Sequence, residues 1–234
     1  MNILITGASR GIGAATYALL KSRGHTVVGH SSMGTEELIA GDLRHPGVTR
    51  HIWIDALDRL GGRIDVLINN AGIFTAASPE TDDDEQWYSG WWETLQVNLY
   101  AAADLCRFAV KHFREVGGGR IVNVASRAAW RGDSPQHWHY AASKGAIVAM
   151  TKTIARAYAA EGIYAFAVSP GFTVSDMAAD YLQSRGGAGI VADIPLGRVA
   201  HAEEVAETIR WLATEAPPSA TGTNVDVNGA SYVR

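Results

Sequence analysis

Tyr140 and Lys144 stand four residues apart in the run HWHYAASKG, with only Ala141, Ala142 and Ser143 between them. On a helix that spacing puts both side chains on one face, with their Cβ atoms about 5–6 Å apart. A phenol titrates near pH 10 and is a poor base at neutral pH, but an adjacent ammonium favours the phenolate and lowers that value. Proton transfer at working pH is therefore the chemistry this pair could do. The same pattern also describes an ordinary amphipathic helix whose tyrosine packs and whose lysine is solvated.

A second stretch raises a similar choice. Residues 6–13 read TGASRGIG, directly after an apolar strand-like run and directly before a helical pattern. Glycines at 7, 11 and 13 would let the backbone turn sharply and approach a ligand. The helix that follows would offer free N–H groups and a positive dipole end to a pyrophosphate. A turn that needs glycine only for its shape would look the same.

The elements that must position these groups are legible as alternation. Short apolar runs recur at residues 2–6, 25–30, 38–42, 65–70, 119–126, 164–170 and 224–229, and most of the intervals carry helical spacing. Strand alternating with helix predicts a doubly wound parallel sheet of about seven strands with helices on both faces. No linker-like segment interrupts it, so residues 1–234 read as one domain. One interval is too short: SSMGTEELIAGD can hardly hold a crossover helix and a strand, so the crossover after strand two is expected to shrink to a turn or a single helical turn.

Composition narrows the partners. With 47% hydrophobic residues, 20 basic against 24 acidic side chains and a net charge of -4, the chain can bury a core but has no basic stripe for nucleic acid. The single cysteine, Cys106, lies in the apolar run AAADLCRFAV, allows no internal disulfide and is expected to pack in the core; no metal-ligand cluster is expected. MNILITG enters a strand pattern without a leader, and no run reaches the roughly 18 apolar residues of a membrane span. A cytoplasmic protein with no membrane partner is the expectation.

Taken in order, TGASRGIG, Asn69-Asn70-Ala71-Gly72, Tyr140 to Lys144, Pro170-Gly171 and Val227-Asn228-Gly229 span nearly the whole chain, and together they resemble the landmarks of the classical short-chain dehydrogenase/reductase family. The stretches PLGRVAHAEEVAETIRWLA and TGTNVDVNGA are similar to the branch that holds 3-oxoacyl-carrier-protein reductases and related carbonyl reductases. The resemblance implies an oxidoreductase that interconverts a small ketone or aldehyde and an alcohol. It implies a catalytic tetrad of Asn98, Ser126, Tyr140 and Lys144: Tyr140 as general acid/base, Ser126 on the substrate oxygen, Asn98 in a proton relay through water, and Lys144 on the tyrosine and the nicotinamide ribose. Cofactor contacts would come from Gly7, Ser9, Arg10, Gly11, Ile12, Gly13, His30, Ser31, Ser32, Asp42, Leu43, Asn70, Ala71, Gly72, Tyr140, Lys144, Pro170, Gly171, Thr173 and Ser175. The family also implies a homotetramer or homodimer. A catalytically silent dinucleotide sensor is the alternative, although such relatives commonly lose the tyrosine or the lysine.

The dinucleotide is read from strand two. An NAD site places an acid at its end to bind the ribose 2′-OH; here that end reads His30-Ser31-Ser32, and Arg10 in the glycine turn could reach a 2′-phosphate. NADP(H) is favoured, and NAD(H) stays open through Glu36 or Glu37. Two segments depart from the family pattern. The interval from Ser126 to Tyr140 is one residue longer than the commonest spacing, and the segment after Asn69-Asn70-Ala71-Gly72 is longer and brings Trp87 and Tyr88. Trp130, His137 and Trp138 could line a substrate pocket or could pack on the surface of the domain. Beyond Pro170-Gly171, Gly186, Gly187 and Gly189 could hinge a lid.

Overall fold

The computed structural model describes residues 1–173 and 187–234. Seven parallel strands form one sheet: β1 (Asn2–Thr6), β2 (Thr26–Ser31), β3 (Leu38–Ala40), β4 (Val66–Asn69), β5 (Gly119–Val124), β6 (Ile163–Pro170) and β7 (Asn224–Val227), in the order β3-β2-β1-β4-β5-β6-β7. Each expected apolar run supplies one of them. Alternation along β1 shows why they are buried on both sides: Ile3 and Ile5 join one hydrophobic cluster and Leu4 the other.

Three helices, α2 (Val48–Arg59), α4 (Ala101–Val116) and α6 (Trp138–Tyr158), cover one face through Ile52, Leu105, Phe113 and Ile154. On the other face lie α1 (Gly11–Ser22) and the last helix, α8 (Ala202–Thr214), packed through Leu20, Val205, Ile209 and Leu212. Helix α3 (Asp84–Leu95) lies in the segment between β4 and α4, and the short helices α5 (Ala128–Arg131) and α7 (Gly187–Ala192) follow β5 and β6. No described helix is long and apolar enough to cross a membrane.

The short crossover after β2 is a turn. The Ser31 hydroxyl accepts from the Gly34 amide at 3.0 Å, and the Thr35 hydroxyl accepts from Leu38 N at 3.1 Å, so side chains replace the helix as the brace. Gly34 is required there: its φ is +68°, and a Cβ would lie 2.6 Å from that of Ala40.

Strand order reverses between β1 and β4, since β2 lies on one side of β1 and β4 on the other. Loops leaving neighbouring strands part at such a point and leave a crevice beyond their carboxyl ends. Most of the candidate site residues gather in that crevice.

Candidate active site

A cleft of about 550 Å³ opens there, lined by the glycine turn, the ends of β2, β4, β5 and β6, and Tyr140 and Lys144 of α6. The turn is held from two directions. Gly7 and Gly11 take φ of +68° and +54°, and a Cβ on Gly13 would lie 1.9 Å from the Gly7 carbonyl oxygen, so α1 starts in direct contact with the turn. From β4, Asn70 Nδ2 donates to the Thr6 and Gly7 carbonyls at 3.0 Å, while the Thr6 hydroxyl accepts from the Asn70 and Ala71 amides at 3.1 Å. Asn70 therefore braces the turn. Arg10 occupies the N-cap of α1 in extended backbone and its side chain makes no cap bond, which leaves the first helical N–H groups facing the cleft. This cradle fits a pyrophosphate.

At the end of β2 the predicted side chains divide. His30 is buried, its Nε2 lies 2.7 Å from the Gly41 carbonyl, and burial lowers its pKa, so it is a neutral part of the wall. Ser31 is committed to Gly34, and Ser32 and Arg10 are exposed at the rim. Glu37 turns away toward Lys21 and Tyr17 of α1, at 3.4 Å from each, and neither Glu36 nor Glu37 lines the cleft. Asp42 and Leu43 do line it; Asp42 accepts from the Arg44 amide at 3.0 Å, and Arg44 also pairs with Glu93.

The candidate tetrad comes from three places in the chain: the turn that holds Asn98, the end of β5 for Ser126, and α6 for both Tyr140 and Lys144. Asn98 sits in a π-helical turn (Gln96–Tyr100) between α3 and α4. Its Oδ1 accepts from Ile73 N at 2.8 Å, and its Nδ2 donates to Ile73 O at 3.0 Å and Ser143 Oγ at 3.3 Å, which ties the loop after β4 to α6. Beneath it a buried chain runs from Asn69 to Asn123 to Thr151, each link 2.9 Å, and fixes α6 against β4 and β5. Cys106 packs beside this chain with its thiol pushed up to about 12 by burial, which leaves it inert.

Lys144 is buried and donates from Nζ to the Val124 carbonyl at 2.9 Å. Burial pushes its pKa down to about 8, a fall from 10.5 equivalent to roughly 3 kcal/mol of stress on the ammonium. A polar ligand that shares the site would relieve that stress. The lowering of the Tyr140 pKa expected from Lys144 is not what this geometry produces. Burial pushes the phenol up to about 12; the nearby Ser126 hydroxyl offsets part of the rise, and the Asp133 carboxylate adds to it. The ammonium is aimed at a carbonyl and lies 5.8 Å from the ring centroid, so desolvation outweighs attraction. At neutral pH Tyr140 is a phenol, the form that gives up a proton.

Ser126 follows β5, is buried, and its Oγ accepts from Ala128 N at 3.1 Å at the start of α5. Pro170 and Gly171 close the far wall: Pro170 O accepts from Arg127 N and Gly171 N donates to Val227 O, both at 2.9 Å. Thr173 is buried and bridges to Ala200. Ser9, Gly11, Ile12, Ala71 and Gly72 also line the cleft, while Ser175 and Gly186, one of the three candidate hinge glycines, lie outside the described residues.

The two unusual segments pack on each other. Trp87 of α3 meets Trp138 edge-on at 5.8 Å, and the Ala77 amide donates to Gln136 O at 2.9 Å. Behind them His137 stacks on Phe74 at 3.9 Å, and Phe74 meets the Tyr140 ring edge-on at 4.7 Å. His137 and His139 are buried, and Trp130 lies under Lys152 and Arg234. Of the two roles the sequence left open for Trp130, His137 and Trp138, packing is the outcome: none of the three lines the cleft. The cleft instead holds Phe74, Arg127, Asp133 and Phe172, which sequence reasoning did not single out. Arg127 alone carried a signal, a cation directly after the candidate serine.

Residues 7–230 match the family model described as enoyl-(acyl carrier protein) reductase. The chain belongs to the short-chain dehydrogenase/reductase family. It is 32% identical to 3-oxoacyl-[acyl-carrier-protein] reductase of Haemophilus influenzae, with 98% of this chain and 97% of the relative covered. It is 34% identical to cis-4-hydroxycyclohexanecarboxylate dehydrogenase of Sinomonas cyclohexanicum, covering 97% and 94%. The crystal structure of 3-ketoacyl-(acyl-carrier-protein) reductase from Brucella melitensis complexed with NADH superposes with a TM-score of 0.86 at 25% identity, covering 99% and 98%. This short-chain dehydrogenase/reductase is thus an oxidoreductase of carbonyl and alcohol groups.

Proposed function

We propose that the protein is an NADP(H)-dependent carbonyl reductase in which Tyr140 is the proton donor. One observation carries the reading: the Tyr140 phenol, the Ser126 hydroxyl and the Lys144 ammonium line the same cleft as the glycine turn. Gly7 to Gly13 and the α1 N-terminus hold the pyrophosphate, and Asp42 and Leu43 flank the adenine. Arg10 and Ser32 take the 2′-phosphate; the outward turn of Glu37 supports this choice, because no acid is left at the end of β2 to bind a free 2′-hydroxyl. Asn70, Ala71, Gly72, Pro170, Gly171 and Thr173 complete the cofactor site. Bound NADPH supplies a hydride to the carbonyl carbon.

Tyr140 gives its proton to the carbonyl oxygen, and the Ser126 hydroxyl donates a hydrogen bond to the same oxygen. Lys144 holds the nicotinamide ribose, and its charge stabilises the phenolate left behind. Asn98, engaged with Ile73 and Ser143, keeps α6 and the loop after β4 in register, and so positions the proton relay. The same reading makes residues 1–234 one catalytic domain acting in the cytoplasm as a homotetramer or homodimer. The exposed Trp92 and Tyr100 beside α4 support an interface on that side.

Paired titrations with NADPH and NADH, followed by a carbonyl panel, test the reading. Tighter NADPH binding and NADPH oxidation by at least one ketone or aldehyde are expected. Tight binding with no turnover on any member would favour a sensor instead.

A further inference from the structure

The two segments that depart from the family pattern meet at one ring. Phe74 belongs to the longer segment after β4, and His137 to the longer interval between Ser126 and Tyr140. Their rings stack at 3.9 Å and within 4° of parallel, and the Phe74 ring stands across Tyr140 at 4.7 Å and 83°. Phe74 thus links the extra chain to the residue that gives up the proton.

Both sides of the stack are fixed to backbone. Just ahead of Phe74, Ile73 donates its amide to Asn98 Oδ1 at 2.8 Å and accepts from Asn98 Nδ2 at 3.0 Å. His137 has its Nδ1 2.7 Å from the Ser134 hydroxyl, and its amide donates to Ser134 O at 2.9 Å. Gln136 beside it accepts from the Ala77 amide at 2.9 Å, which closes one segment on the other.

A phenol oxygen lies on the axis of its ring, so a flip about that axis leaves it in place, whereas a change in χ1 swings it through a wide arc. Tyr140 sits in the first turn of α6, with Lys144 Nζ 5.8 Å from its ring centroid and Phe74 perpendicular to the ring. A swing toward Phe74 is blocked unless that ring leaves its stack with His137. Proton transfer tolerates little displacement, since about 1 Å can cost about 10²-fold in rate.

We propose that Phe74 and His137 are positioning residues: their stack holds the Tyr140 hydroxyl where the carbonyl oxygen will stand, and the two longer segments act as one device. This rests on the reductase reading above.

The test combines steady-state reduction of the accepted carbonyls with fluorine-19 NMR of protein labelled with 3-fluorotyrosine, where the Tyr140 resonance is the one lost in Tyr140→Phe. His137 does not line the cleft. In His137→Ala, kcat is expected to fall about 10–100-fold, by the same factor for every carbonyl, with KM and NADPH affinity within about threefold. The solvent deuterium isotope effect on kcat should rise as proton donation slows, and the Tyr140 resonance should shift and broaden. His137→Phe keeps a flat ring against Phe74 and should recover most of both; Phe74→Leu should lose at least as much as His137→Ala. Should chemical denaturation show His137→Ala to be unfolded, Phe74→Leu and His137→Phe carry the same comparison.

A loss carried by KM that differs among carbonyls would make the stack a substrate wall and overturn the proposal. So would a tenfold loss of NADPH affinity, which would assign the stack to the cofactor, or an unchanged kcat in His137→Ala. If the wild type reduces no carbonyl, the reductase reading fails separately and the resonance decides: a signal moved in His137→Ala and restored in His137→Phe sustains the proposal, and an unmoved signal ends it.

Discussion

The two halves of the cleft are built differently. On the side of β1, β2 and β4 the ligand surface is mainly backbone, a glycine turn and a helix N-terminus braced by Asn70 and Thr6, with the side chains of Arg10 and Ser32 only at its rim. On the side of β5, β6 and α6 it is side chain: Tyr140, Lys144, Ser126, Arg127, Phe74 and Phe172. A backbone surface can bind only what every dinucleotide shares. A side-chain surface can differ between relatives without disturbing the first, so chemistry and substrate choice belong there.

The sharpest way to separate the halves is Tyr140→Phe. Loss of the proton donor should lower kcat by about 10²–10⁴-fold while the affinity for NADPH stays within about threefold, measured by nucleotide fluorescence. Retained turnover would remove Tyr140 from the mechanism.

The converse substitution is Gly13→Ala. Its new Cβ would meet the Gly7 carbonyl at 1.9 Å, and backbone cannot yield there as a flexible side chain can. NADPH affinity should fall by at least about tenfold, and stability by about 1–3 kcal/mol, read by titration and chemical denaturation. Wild-type affinity would mean that the turn is not the cofactor cradle.

Acid pH and alkaline pH should divide the two directions of the reaction. With burial holding the Tyr140 phenol up to about 12, the proton-donating form is complete throughout the neutral range. Carbonyl reduction should stay level from pH 6 to 7 and decline as Lys144 loses its proton near pH 8, whereas alcohol oxidation, which needs the phenolate, should climb toward about tenfold per pH unit. An oxidation rate that levels off near pH 7 would show that bound cofactor reverses the effect of burial.

The smallest effect is expected at the contact between the two unusual segments. Trp87→Ala removes the edge contact with Trp138 and should cost about 1–2 kcal/mol of stability, with a modest rise in substrate KM and no change in NADPH affinity. A change in NADPH affinity would mean that this packing reaches across the cleft.

These halves also differ in how far they could be read in advance. Seven strands, the shortened crossover and the glycine turn follow from patterns that are local: period-two burial, too few residues for a helix, and glycine where φ is positive. TGASRGIG needs only its own neighbours to make its shape. The tyrosine and lysine were legible as a pair on one helical face, but the sign of the phenol's shift was not. It depends on how deeply α6 presses Tyr140 among Phe74, Ser126 and Asp133, and on the Val124 carbonyl that takes the lysine.

Sequence by itself therefore determined the parallel sheet, the order of its elements and the identity of the groups able to do chemistry, because each is encoded within a turn or two of chain. Tertiary structure alone decided that His137 and His139 support the site from behind, that Glu37 faces away from it, and that Phe74, Arg127 and Phe172 face into it. Each of those outcomes is a choice between directions for a side chain, and it is made by segments distant along the chain that meet only once the sheet has formed.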